Sequence, residues 1–98
     1  RKTHNWILIR HNIDKLEIVN IYPNPTTNNI NLEFNKPNDA NIRVEIRDVV
    51  GRVVKAFNYK ASKGYNKIEL DLYKLEAGTY YLSVDNSQER IVHIIFKE

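Results

Sequence analysis

The sequence predicts an all-β domain built as an antiparallel sandwich, and two observations carry that prediction. First, apolar and polar residues alternate in four separate runs, Ile30–Phe34, Ile42–Ile46, Ile68–Leu72 and Tyr80–Val84. Alternation with a period of two places one side of each strand on a core and the other side in water. Second, turn-forming clusters separate the runs at intervals of about ten residues, which is typical of antiparallel sandwiches. No segment has a convincing helical period.

Size and composition agree with one soluble globular domain. The chain has 98 residues, of which 42% are hydrophobic and 28% charged, and a domain of this length can bury a core without metals or crosslinks. No apolar run approaches the roughly 20 residues of a membrane-spanning helix. The net charge of +3 is only mildly basic.

The first element is a polar stretch that differs from the rest of the chain. Residues 1–16 contain one apolar run, Asn5–Arg10, between polar flanks. We interpret residues 1–16 as a linker or the end of an upstream region, and residues 17–98 as the domain. Its first strand is predicted at Leu16–Ile21 and its second at Asn28–Phe34.

Two prolines stiffen the turn between these strands, whose sequence is Tyr22-Pro23-Asn24-Pro25. Each proline fixes its own φ and favours an extended conformation of the residue before it. We expect the ring of Tyr22 to cover the end of the core, and Asn24 and Thr26 to bond to nearby backbone.

The remaining elements follow from the same alternation. A tight hairpin at Gly51 is predicted to join Ile42–Asp48 to Arg52–Phe57, and Leu72–Leu75 could form one short turn. The last predicted strand, Arg90–Lys97, is apolar almost throughout. It is therefore either buried on both faces or exposes apolar surface.

Residues that could perform catalysis or bind a cofactor or metal do not form a recognisable pattern. The chain has no cysteine, three histidines and three glycines, which excludes thiolate chemistry and a glycine-rich phosphate loop. The histidines, His4, His11 and His93, lack the spacing of a metal site. We therefore expect no enzyme activity, no cofactor and no metal. The basic residues of the central strands are interrupted by acidic ones, which argues against a nucleic-acid partner.

Four motifs, taken in order, carry a resemblance to a known family. They are the Tyr22–Pro25 turn after an apolar strand, the hairpin with Asp48, Gly51, Arg52 and Val54, the pattern Leu75, Gly78, Tyr80 that leads into Leu82 and Val84, and the closing run Ile94, Ile95, Phe96 and Lys97. Together they resemble the C-terminal sorting domain of proteins exported by the bacterial type IX secretion system.

The resemblance implies an immunoglobulin-like sandwich of about seven strands and a role as a secretion signal. Such a domain would follow an upstream cargo domain through the periplasm to the cell surface or the medium. Its expected partners are the outer-membrane translocon and shuttle components of the system. A sortase-like surface peptidase would remove it, at a bond within Arg1–Asn20.

Two surfaces are candidates for recognition by these partners. One is the closing strand, which could add to the sheet edge of another protein, and the other is the rigid turn with its low entropic cost of binding. Gly51 and Gly78 are expected to serve backbone conformation. The domain is expected to be a monomer or a weak dimer, because an exposed terminal strand can pair between copies.

An alternative function also fits the predicted fold. An immunoglobulin-like accessory module of a surface protein could bind carbohydrate or another protein. It would need an aromatic platform, for which Tyr59, Tyr65, Tyr73, Tyr80 and Tyr81 supply rings. A calcium site is less well supported, because there is no acidic cluster.

Overall fold

The computed structural model describes residues 16–98, and this part of the chain forms seven strands and no helix. The strands are β1 (Glu17–Tyr22), β2 (Asn29–Lys36), β3 (Ala40–Arg47), β4 (Val53–Ala61), β5 (Gly64–Asp71), β6 (Gly78–Asp85) and β7 (Arg90–Lys97). Consequently no helix within residues 16–98 could span a membrane. Residues 1–15, which make up the predicted linker apart from Leu16 and include the run Asn5–Arg10, lie outside the described residues.

The strands form two antiparallel sheets, with the orders β1-β2-β5 and β4-β3-β6-β7. The predicted all-β antiparallel sandwich of seven strands is therefore confirmed. Counted along the chain, β1, β2 and β5 occupy the places of immunoglobulin strands A, B and E, and β3, β6 and β7 those of C, F and G. The remaining strand, β4, pairs with β3 and forms one edge of the four-stranded sheet.

The core lies between the sheets and consists of the residues that the alternation marks as inward. Each of the four alternating runs contributes three buried side chains, and Leu16, Ala61 and Ile95 complete the set. Phe34 of β2 meets Tyr59 of β4 edge to face across the core, with ring centroids 6.2 Å apart. Full burial of one such aliphatic or aromatic side chain contributes roughly 1.5–3 kcal/mol, and burial of this kind is the dominant favourable term in folding.

Strand β7 departs most clearly from simple alternation. The sequence leaves open whether its apolar residues are buried on both faces, and the structure shows that they are not. Ile95 is fully buried and Ile91 partly so, but Val92, Ile94 and Phe96 are 53%, 50% and 46% exposed. The closing strand therefore exposes an apolar stripe on the outer face of the four-stranded sheet.

The antiparallel connections divide the loops between the two ends of the sandwich. Residues 23–28, 48–52 and 72–77, together with the end of β7, lie at one end, which we call the motif end. The start of β1 lies at the other end, where the backbone N–H of Leu16 donates to Glu89 Oε1 at 2.8 Å. The chain therefore enters the sandwich at the end opposite to the motif end.

The hairpin between β3 and β4 is organised by Asp48. Its backbone N–H donates to Arg52 O at 2.9 Å, and its O accepts from Gly51 N at 3.0 Å. Its carboxylate accepts from the backbone N–H groups of Val50 and Arg52, at 3.1 and 2.9 Å, and from Arg52 Nε at 2.8 Å. Gly51 has a φ of +94°, and no heavy atom outside its chain neighbours lies within 4 Å of the position of an added Cβ. The need for glycine is therefore one of backbone conformation.

This arrangement predicts that Gly51→Ala lowers the free energy of unfolding by about 1–2 kcal/mol, because a left-handed conformation costs that much for a residue with a Cβ. Gly51→Asn is the matched control, since asparagine tolerates this region better. Urea denaturation of the two variants measures the difference. Equal losses for both would place the cause in packing and contradict the conformational explanation.

Candidate recognition surface

The structure brings the four predicted motifs to the motif end. The turn Tyr22–Pro25 follows β1, Gly51 and Arg52 form the β3–β4 hairpin, Leu75 lies just before β6, and Gly78 and Tyr80 begin β6. Ile94–Lys97 complete β7. Residues far apart in sequence meet here because every connection from an odd-numbered to an even-numbered strand returns at this end.

The Tyr22–Pro25 turn contacts the closing strand through the side chain of Asn24. Its Nδ2 donates to Ile94 O at 3.1 Å, and its Oδ1 accepts from Phe96 N at 2.9 Å. The amide thus bonds to β7 as a peptide group of a neighbouring strand would. The prediction that Asn24 bonds to nearby backbone is wrong: its partners are 70 and 72 residues away.

Thr26 continues the contact with backbone hydrogen bonds. Its N–H donates to Phe96 O at 2.9 Å, its O accepts from Glu98 N at 2.8 Å, and it forms a parallel bridge with Lys97. The side chain of Thr26 is buried and its Oγ1 bonds to the backbone of Asn28 and Asn29, as predicted. The sequence gives no signal for the contact with β7.

These bonds cover half of the outer edge of β7. In an antiparallel strand, alternate residues direct their backbone groups to opposite sides. The odd-numbered residues of β7 face β6, and the even-numbered residues face the outer edge, as the bonds of Ile94 and Phe96 show. From Ile94 O to Glu98 N, the edge is therefore occupied by the turn.

Tyr22 lies elsewhere than the sequence suggests. Its ring is on the outer face of the three-stranded sheet, where its Oη donates to Glu33 Oε2 at 2.7 Å, and it does not cover the core. This hydrogen bond raises the pKa of Tyr22 and lowers that of Glu33, and the nearby Tyr65 hydroxyl also lowers the pKa of Glu33. The bond attaches the start of the turn to β2.

A surface groove at the motif end brings a second set of predicted residues together. It has a volume of about 420 Å³ and is lined by Arg52, Leu75, Gly78 and Tyr80, among others. Tyr80 is a core residue whose Oη donates to Glu76 O at 2.6 Å. Gly78 has a φ of +157°, a backbone conformation that residues with a Cβ rarely adopt, and no heavy atom outside its chain neighbours lies within 4 Å of the position of an added Cβ, so glycine serves backbone conformation here as it does at Gly51.

The two sets of residues meet along the β6–β7 pairing. Gly78 lies opposite Lys97, and Tyr80 opposite Ile95. Tyr80 and Ile95 are both buried, so a partner of the folded domain does not contact their side chains. Among the predicted residues, those that it can contact are the turn, Ile94, Phe96 and the rim of the groove.

Further exposed apolar residues, which the sequence patterns did not single out, surround these positions. Eleven large hydrophobic side chains are exposed in the part of the chain that the structure describes. All but Val19 and Tyr65 lie at the motif end or on the outer face of the four-stranded sheet: Val49, Val50, Val53, Val54, Tyr73, Tyr81, Val92, Ile94 and Phe96. The exposed-valine sequence around Gly51 is the signal that could have identified part of this surface.

A family model described as "Secretion system C-terminal sorting domain" matches residues 20–98. No curated protein matches the chain. Among residues 16–98, no three His, Asp or Glu side chains are grouped as metal ligands would be.

The Asn24 contact predicts a local change in hydrogen exchange. Asn24→Ala removes the acceptor of the Phe96 amide, so we expect exchange at Phe96 to accelerate while the amide of Ile95, which faces β6, keeps its protection. The free energy of unfolding should fall by about 1 kcal/mol, the usual net value of a hydrogen bond. Asn35→Ala, an exposed position on β2, is the control. Unchanged exchange at Phe96 would contradict the contact.

The Tyr22–Glu33 bond predicts a pH dependence of stability. Because the pKa of Glu33 is lowered in the folded state, its contribution is present above the unfolded pKa of about 4.3 and is lost as the pH falls through the folded pKa. Glu33→Gln should therefore be less stable than the parent at pH 7 and lose less stability on acidification. Thermal melting at pH 7 and below pH 4.3 measures this, and parallel curves for both proteins would refute it.

Proposed function

Because the chain belongs to the family of type IX secretion C-terminal sorting domains, we propose that residues 17–98 direct an attached cargo protein across the outer membrane. The match to this family over residues 20–98 carries the proposal. In this role the domain acts as a signal and not as an enzyme. Residues 1–16 join it to the cargo.

The geometry of the sandwich supports this role. The chain enters at Leu16, next to Glu89, and the four family motifs lie at the opposite end. A cargo domain attached upstream therefore joins the sandwich at the end opposite to the motif end. One recognition surface can then serve cargo proteins of different shapes.

Membership of the family supports a proposal for the route and the partners. We propose that the domain passes through the periplasm with its cargo, and that translocon and shuttle components of the type IX system bind the motif end. The cargo then reaches the cell surface or the medium. The partner-facing residues are Tyr22, Pro23, Asn24, Pro25, Arg52, Ile94, Phe96 and Lys97, with Gly51, Leu75, Gly78, Tyr80 and Ile95 supporting their positions.

Removal of the domain by a sortase-like peptidase fits a bond upstream of β1. Glu17–Tyr22 pair with β2, and a peptidase needs a substrate segment that is free of such pairing. A cut upstream of Leu16 would leave this buried core residue and all of β1 with the sandwich, whereas a cut within residues 17–20 would break the first strand. We therefore narrow the expected position of the cut from Arg1–Asn20 to a bond upstream of Leu16.

The accessory-module alternative receives less support from the placement of the tyrosines. A carbohydrate platform needs several rings on one surface. Tyr80 is buried, Tyr59 packs on Phe34 in the core, and Tyr65 and Tyr81 lie on opposite outer faces of the sandwich. This dispersal favours the sorting role.

An export assay tests the proposed function. Residues 1–98 are fused to the C-terminus of a periplasm-directed fluorescent protein in a host with a type IX system. We expect fluorescence at the surface or in the medium, and retention in the periplasm of a strain without the translocon. A fusion that carries only residues 1–16 is the matched control.

Two results would contradict the proposal. One is periplasmic retention of the complete fusion while the domain is folded, as shown by its resistance to protease in a periplasmic extract. The other is equal export of the fusion with residues 1–16 alone.

A further inference from the structure

We propose that the export machinery recognises the outer side-chain face of β7, centred on Ile94, and does not add a strand to its backbone edge. Asn24 acts as the positioning residue that holds the turn on that edge. The inference rests on the proposed function and specifies its partner. The partner is a protein that presents an apolar surface to Val92, Ile94 and Phe96.

The first argument is that the edge nearest to the motifs is already paired. The carbonyl of Ile94, both backbone groups of Phe96 and the N–H of Glu98 bond to Asn24 and Thr26. A strand that added to β7 would have to displace four hydrogen bonds. Pro25 also lacks an N–H, so the turn gives an incoming strand few donors.

The second argument is that the rest of the edge is short. Only Arg90, Val92 and the N–H of Ile94 direct backbone groups to the edge outside the turn, and among residues 16–98 no strand pairs with them. A typical strand has about five or six residues. The remaining segment therefore offers a weak site for strand addition.

The third argument is that the side-chain face is open and apolar. Val92, Ile94 and Phe96 point outward from the sheet and are about half exposed. Tyr81 lies opposite Ile94 on β6, and nine of the eleven exposed large hydrophobic residues share this face or the motif end. The outer face of the three-stranded sheet is more polar, with Asn31, Glu33 and Lys67 beside the tyrosines Tyr22 and Tyr65. Contiguous exposed apolar surface of this kind marks an interaction site.

Charge favours a protein over a lipid surface as the partner. The arginines around the face are paired within the domain: Arg47 with Glu45 at 2.7 Å, Arg52 with Asp48 at 2.8 Å and Arg90 with Asp85 at 3.2 Å. Residues 16–98 carry eleven Lys and Arg against eleven Asp and Glu. These arginines are therefore engaged within the domain, whereas proteins bind anionic membranes through clusters of free cations.

Point variants of the export fusion separate face recognition from edge recognition. Ile94→Lys places a charge on the face without removing a buried side chain, and we expect export to fall at least about tenfold, as for a central contact residue. Tyr65→Lys, an exposed position on the opposite face, is the matched control. We expect it to export within about twofold of the parent, as a residue outside the interface should.

The edge is tested by Val92→Pro. The Val92 N–H points to the outer edge, so proline leaves the bonds to β6 intact and removes only an edge donor. We expect Val92→Pro to be exported as well as Val92→Ala, which controls for the side chain. Loss of export in Val92→Pro together with normal export of Ile94→Lys would overturn the proposal.

Asn24→Ala gives a second test that does not depend on proline. It uncovers the edge and loosens the turn, so edge recognition predicts equal or better export, whereas recognition of the ordered face predicts a loss. Melting of each purified domain establishes that it is folded. If the parent fusion itself is not exported, the sorting function fails, and this outcome differs from any pattern among the variants.

Flotation of the purified domain with vesicles tests whether a lipid membrane, and not a protein, is the partner of this face. We expect no binding to vesicles of phosphatidylcholine, or of phosphatidylcholine with phosphatidylglycerol. Binding that Ile94→Lys abolishes would assign the face to a membrane and refute the protein partner.

Discussion

The contact between the Tyr22–Pro25 turn and β7 is the constraint on which the arrangement of the motif end depends. The two sheets of a sandwich pack face to face through the side chains of their inner faces. Here the segment that links β1 and β2, in one sheet, also forms backbone-like hydrogen bonds with the last strand of the other sheet. The position of β7 relative to the turn is therefore fixed by directional bonds, and with it the orientation of Ile94 and Phe96.

The composition of the turn follows from this task. A proline has no N–H, so a segment with two prolines cannot form a continuous ladder with a neighbouring strand. The side-chain amide of Asn24 replaces the missing donor and supplies an acceptor, and Thr26 is the first residue after the prolines that can donate through its own backbone. The prolines restrict the conformations of the turn before it binds, which lowers the entropic cost of this contact. The prolines thus make the turn rigid, and Asn24 and Thr26 form its hydrogen bonds with β7.

Most of the fold could be predicted because the alternation of apolar and polar residues within a strand shows which of its side chains are buried. A period of two suffices to identify the inward side chains of β2, β3, β5 and β6, since each has one face on the core. Two features could not be predicted in this way. The β1 strand has a bulge between Ile18 and Asn20, which shifts the register so that Tyr22 faces outward, and local sequence does not specify it. The contact of Asn24 with β7 joins residues 70 positions apart, and it depends on the closed topology of both sheets.

The arrangement of β7 resolves a conflict between recognition and aggregation. An apolar terminal strand with an unpaired edge is a template for association with other chains, yet a signal must leave some surface for its partner. In this domain the turn pairs with half of the edge, while the same strand keeps three apolar side chains on its outer face. Backbone pairing is indifferent to sequence, because every residue offers the same N–H and C=O groups, whereas a stripe of specific side chains distinguishes one protein from another. Covering the edge and exposing the face therefore exchanges a non-selective interaction for a selective one.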